Sequence, residues 1–108
     1  MATRSSIALA TPEGFTAIYC HWDGYPDGVG ATLKSFYSTF EQVKSLVERG
    51  DLSSLGESLE LSEFYTSRGE KLSVKTFKSD ADWLEWANNC GCEYAYLFKG
   101  DKWIAEAI

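Results

Sequence analysis

The sequence predicts an α+β fold: a single domain spanning residues 1–108, with a mostly antiparallel sheet packed against about three helices. Three observations point to it. Residues 6–22 hold two apolar runs, the second rich in aromatic and β-branched residues, around Thr11-Pro12-Glu13-Gly14, which is the composition of a β-hairpin. Residues 93–107 repeat the pattern around Lys99-Gly100-Asp101-Lys102, a second hairpin. Between them, three stretches space their apolar residues as helices do. At 108 residues, 44% hydrophobic and 15% aromatic, the chain has enough apolar surface for one core.

The elements follow in order. Met1–Ser5 carries little apolar content and is expected to lie outside the ordered fold. Ser6–Ala10 is the first strand. Phe15–Trp22 is the second, with Phe15, Ala17, Tyr19 and His21 on one face and Thr16, Ile18, Cys20 and Trp22 on the other. Both faces are largely apolar, so this strand is expected at the centre of the sheet, covered on both sides. Asp23–Gly30 reads as a turn-rich loop. Val29–Tyr37 reads as a helix on Val29, Leu33, Phe36 and Tyr37. A second helix opens at Thr39, where Thr39 and Gln42 have the capping-box order. Gly50 is placed to end it in a left-handed conformation. Asp51–Gly69 fits neither period and is expected to be irregular; Asp51–Gly56 in particular reads as a loop or a single helical turn. Ser73–Phe77 reads as an isolated strand. Ser79 caps a third helix whose first turn carries Asp80 and Asp82, whose apolar surface is Trp83, Leu84, Trp86, Ala87 and Cys90, with Trp86 at its edge, and which Gly91 stops.

Composition excludes several classes. No apolar run approaches the roughly 18 residues of a membrane-spanning helix, and the N-terminus lacks the basic-then-apolar order of a signal peptide. A cytoplasmic protein with no membrane contact is expected. The net charge of -6 argues against direct nucleic-acid binding, which needs Lys and Arg to displace counterions. Three cysteines, an odd number, fit a reducing compartment. Cys20, His21, Cys90 and Cys92 are the only set that suggests zinc, and Cys90-Gly91-Cys92 lacks the spacing of a structural zinc site. No metal or cofactor is expected.

Two regions carry the candidate sites. The first is the run His21, Trp22, Asp23, Gly24, Tyr25, Pro26, Asp27, Gly28, Val29, Gly30. Its leading reading is structural: Asp and Gly turn the chain, Pro26 fixes a dihedral, and Asp27 caps the following helix. The alternative is a small enzyme or ligand-binding domain in which His21 and Asp23, two apart on a continuing strand, act as base and orienter with Tyr25 beside them. The second region is Asp80, Asp82, Glu85 and Trp86. Residues 82, 85, 86 and 89 are expected along one exposed side of the third helix. Acids around a part-exposed Trp supply steering and an anchor for a partner protein.

The block from Ile18 to Gly30, followed by Leu33 and Tyr37, resembles a group of small proteins from phages, prophages and plasmids that share His-Trp-Asp-Gly-Tyr-Pro. Tyr94-Ala95-Tyr96-Leu97-Phe98 and Lys102-Trp103 are similar to that group as well; residues 50–72 are not. The group brings no established activity, so the resemblance implies a setting alone: a mobile element, in bacteria or their viruses. That setting, together with the segregated acidic charge and the surplus of aromatic residues, gives the expected function: a non-enzymatic module that binds a host protein, as an inhibitor of a host defence or nucleic-acid-acting complex.

Overall fold

A computed structural model describes residues 2–106 and 108. Met1, from the expected N-terminal tail, and Ala107, from the last expected strand, lie outside the described residues. The first hairpin is β1, Ser5–Thr11, and β2, Gly14–Cys20, antiparallel from Ser5↔Cys20 to Thr11↔Gly14. The last is β6, Tyr94–Lys99, and β7, Lys102–Glu106, also antiparallel. Between them lie α1, Ala31–Phe36; α2, Phe40–Glu48; β3, Leu52–Ser54; β4, Glu63–Phe64; β5, Lys75–Phe77; and α3, Asp80–Asn89. The described residues form an α+β domain with three α-helices and a seven-stranded sheet ordered β4-β3-β2-β1-β6-β7, with β5 also on β2.

The sheet is mixed. Four of its pairings are antiparallel, as expected, but β1 runs parallel to β6 and β2 parallel to β3. The first pairing follows from closing the two hairpins side by side through β1, at the centre of the sheet.

Alternation along the central strands builds a core on each face. Ile7, Leu9, Ile18, Cys20, Tyr96 and Phe98 meet Leu33, Val43, Leu46 and Val47 from α1 and α2. The other face carries small residues, Ala8, Ala17 and Ala95, with Leu97. These alanines leave a shallow bed that the Trp83 indole of α3 fills, completely buried and stacked on Phe15 at 6.5 Å. Ser6 sits on that face too. Its Oγ accepts from Trp83 Nε1 at 2.9 Å and donates to the Ile18 carbonyl at 2.9 Å. The one polar atom of the indole is thereby satisfied inside the core.

The helix ends match their local chemistry. Thr39 and Gln42 form both halves of the capping box at α2, Gly50 follows with φ 87°, and Ser79 Oγ accepts from Asp82 N–H at α3. The helix expected from Val29 begins earlier. Pro26–Gly30 forms one π-helical turn that runs directly into α1. Pro26 occupies the first position, where a missing N–H costs nothing, and Asp27 lies inside the first turn instead of capping it from outside.

Two expectations are corrected. Thr3, Arg4 and Ser5 are tied in: the Thr3 and Arg4 carbonyls accept from Gly24 and Glu93 N–H at 2.8 Å each, and Ser5 is buried in β1. Within Asp51–Gly69, expected to be irregular, Leu52–Ser54 extends as β3 and pairs with β4 through a bulge. Only Leu52 and Phe64 of these two strands are fully buried apolar residues, so neither strand has an alternating pattern to reveal it.

Candidate functional site

Two sheet strands share the outer edge of β2. β3 pairs with it at Cys20, and β5 at residues 15–17. The gap between them leaves the Tyr19 N–H without a strand partner. Asp51 fills it: its Oδ1 accepts from Tyr19 N–H at 2.9 Å, its own N–H donates to the Ser73 carbonyl at 3.1 Å, and its carbonyl accepts from Tyr65 N–H at 3.2 Å. A single residue thus joins β2, the approach to β5 and the turn after β4. Burial pushes the Asp51 carboxyl pKa up, opposed by the hydrogen bonds from Tyr19 and Ser73 and by the charge of Lys75.

Asp51 also lines a cleft of about 330 Å³ together with Tyr19, Ser73, Lys75, Trp86 and Cys90. The sequence places Trp86 at a partner surface but gives no sign of Asp51 or Tyr19 beside it. These residues are far apart in the chain, and their meeting depends on the short pairing of β5 with β2. Trp86 is half-buried, tilted against Phe77 at 5.6 Å. Asp80, Asp82, Glu85 and Asn89 are exposed, while Trp83 and Ala87 point into the core. Among the described residues, neither Asp80, Asp82 nor Glu85 forms an ion pair.

The His21 region is built differently from the catalytic reading. β2 ends at Cys20, and Asp23 takes φ 58°, so His21 and Asp23 do not continue one strand face. His21 is half-buried. Its Nδ1 lies 2.7 Å from the Tyr19 hydroxyl, and its ring stands edge-on to Trp22 at 4.8 Å. Burial raises the Tyr19 phenol to about 12, so the hydroxyl keeps its proton at neutral pH. Asp23 faces Tyr25 instead, whose hydroxyl donates to Asp23 Oδ1 at 3.3 Å on the exposed surface. The three residues therefore do not converge, and none of them lines the cleft beside Asp51. His21 thus bonds back to its own strand, through Tyr19.

The loop itself locks a corner. Gly24 N–H donates to the Thr3 carbonyl, its carbonyl accepts from the Tyr96 hydroxyl at 2.7 Å, and Val29 N–H donates to the Asp23 carbonyl at 2.8 Å. Gly24 and Gly28 are required by close approach. A Cβ on Gly24 would lie 2.8 Å from Ser5 Cβ, and one on Gly28 would run into the Asp23 carbonyl oxygen. Trp22, Tyr25, Pro26 and Asp27 face solvent, whereas Gly30 is buried beneath the Tyr96 ring.

No protein-family model matches this chain, and neither a curated protein nor a solved structure does so. The residues themselves limit the chemistry. The Cys20 and Cys92 thiols are pushed up to about 12, and Cys90 is also raised, in each case first by burial. Thiols held protonated are weak nucleophiles and weak metal ligands. Among the described residues, no three His, Cys, Asp or Glu side chains are placed to hold a metal ion, and no helix is long and apolar enough to cross a membrane.

Proposed function

We propose that this protein is a non-enzymatic binding module whose α3 surface engages a positively charged patch on a partner protein. The observation that carries the reading is the row of exposed, unpaired carboxylates Asp80, Asp82 and Glu85 beside half-buried Trp86. Carboxylates without internal partners keep their full field for steering. An aromatic ring already held on one side by Phe77 loses little freedom when its other side is covered. A patch that attracts acids is what a nucleic-acid-acting protein presents, so the module acts as an inhibitor of a host defence or nucleic-acid-acting complex. Its setting is then the cytoplasm of a bacterium or phage-infected cell, in keeping with the resemblance of its His-Trp-Asp-Gly-Tyr-Pro block.

The test is capture of a partner from bacterial lysate at low salt, followed by affinity measurements with the purified partner. The triple change Asp82→Lys, Glu85→Lys and Trp86→Ala alters two exposed residues and one half-buried ring at the margin of the Trp83 core, and is expected to keep the fold at some cost in stability while abolishing capture. Binding by the unchanged protein should weaken as salt rises. If the changed protein folds and binds with unaltered affinity and salt dependence, α3 is not the docking surface.

A further inference from the structure

We propose that β7 pairs with β7 of a second copy of this chain, antiparallel about a twofold axis through Ile104. β7 ends the sheet: it pairs with β6 on one side, and no strand among the described residues lies on the other. Which of its backbone groups point outward follows from the hairpin. Gly100 and Asp101 form a two-residue turn with φ 58° and 63°, the type I′ geometry in which the flanking pair, Lys99 and Lys102, exchanges both hydrogen bonds. Alternation then turns the backbone groups of residues 102, 104 and 106 toward β6 and those of Trp103 and Ala105 outward. The outward groups are a template for another strand.

The sequence of this edge is complementary to itself in one register. With Ile104 opposite Ile104, Trp103 of one chain faces Ala105 of the other, twice. These are the residues with outward N–H and C=O groups, so each such pair exchanges two hydrogen bonds. The same register sets Lys102 opposite Glu106, also twice, so that both charged pairs are of opposite sign. Side chains 102, 104 and 106 share one face, where Ile104 is 40% exposed and Lys102 is exposed. Pairing covers Ile104 with its own copy, flanked by the two ion pairs. A shift of the register by one residue would pair an outward-facing residue with one already bonded to β6. The contact uses one five-residue strand per chain, so the dimer is of the small, concentration-dependent class. It does not involve α3 and does not rest on the partner-binding reading.

Sedimentation of the purified full-length protein from micromolar to roughly millimolar concentration tests it. The average mass is expected to rise from 12.1 kDa toward twice that value. Ala105→Pro removes an outward N–H while leaving every β6 bond in place, so the variant should fold and dimerise at least about tenfold more weakly. Lys102→Glu and Glu106→Lys should each weaken the dimer through like-charge pairs, and combining them should restore it. A chain that stays at 12.1 kDa throughout overturns the proposal and leaves the edge guarded by Lys102 or reserved for a foreign strand. A dimer indifferent to Ala105→Pro and to the charge changes overturns it as well, because it would use another surface.

Discussion

Ser6 and Asp51 show how much a single polar side chain decides when the backbone leaves a group unmatched. Ser6 is wholly buried between the Trp83 indole N–H and the Ile18 carbonyl. Ser6→Ala removes both contacts and leaves the indole N–H orphaned, so it should lower unfolding stability by about 1–3 kcal/mol, measured by urea denaturation. Asp51 supplies the acceptor that the sheet cannot give Tyr19 N–H. An amide at position 51 supplies the same acceptor without the charge, whereas Asp51→Ala leaves the N–H unpaired. Burial raises the folded-state pKa of Asp51 above its ordinary value of 3.8. The folded state therefore holds this proton more tightly than the unfolded chain, and the contribution of Asp51 to stability falls as pH rises from about 4 through the raised folded value. Asp51→Asn should remove that fall and be at least as stable as the unchanged protein at neutral pH, while Asp51→Ala should be clearly less stable. Denaturation midpoints compared at acidic and neutral pH check both. Neither role is legible in the sequence, where Ser6 reads as an ordinary strand residue and Asp51 as the first residue of a loop or helical turn.

At the scale of elements, legibility follows how local the determining physics is. Both hairpins carry their turn residues between apolar runs, and α2 and α3 carry their caps at fixed offsets, so all of these can be read from neighbouring positions. The start of α1 is harder. A π-helical turn satisfies its own backbone with a wider hydrogen-bond spacing, and Pro26 and Gly28 look like loop residues until Tyr96 and Thr3 are seen holding that corner. β3 and β4 are two or three residues long, too short for alternation to register, and they form only where β3 meets β2 and β4 meets β3 across a long separation in the chain; β5 is as short but falls within the expected strand Ser73–Phe77. The candidate surface divides in the same way. The exposed acids of α3 follow from helical spacing alone. The cleft that joins Trp86 to Tyr19 and Asp51 exists only once β5 has docked. His21 and Asp23 look paired by strand spacing, and the positive φ of Asp23 is a backbone choice that no spacing rule contains.

Across the whole molecule, the two faces of one sheet hold several acidic protons in poorly solvated surroundings. Cys20 and Cys92 rise from 9.0, and Tyr19 and Tyr96 from 10.0, all to about 12, and in each case burial is the largest cause. All four are neutral when protonated, so the fold favours the protonated form and the unfolded chain releases these protons at lower pH. Between pH 9 and about 12 the folded state therefore binds more protons than the unfolded state, and stability must fall as pH rises through that window. The residues lie on different strands, β2, β6 and the turn before β6, so the losses accumulate over the centre of the sheet instead of loosening one edge. A cooperative alkaline unfolding transition is the expected outcome. In a pH titration, the far-ultraviolet circular dichroism should fall together with the last part of the rise in tyrosinate absorbance, because Tyr19 and Tyr96 ionise freely only once the sheet has opened, whereas a tyrosine such as Tyr25 is already exposed. Ionisation of every tyrosine near pH 10 with the circular dichroism unchanged would show that water reaches the sheet interior and that these phenols are not protected by burial.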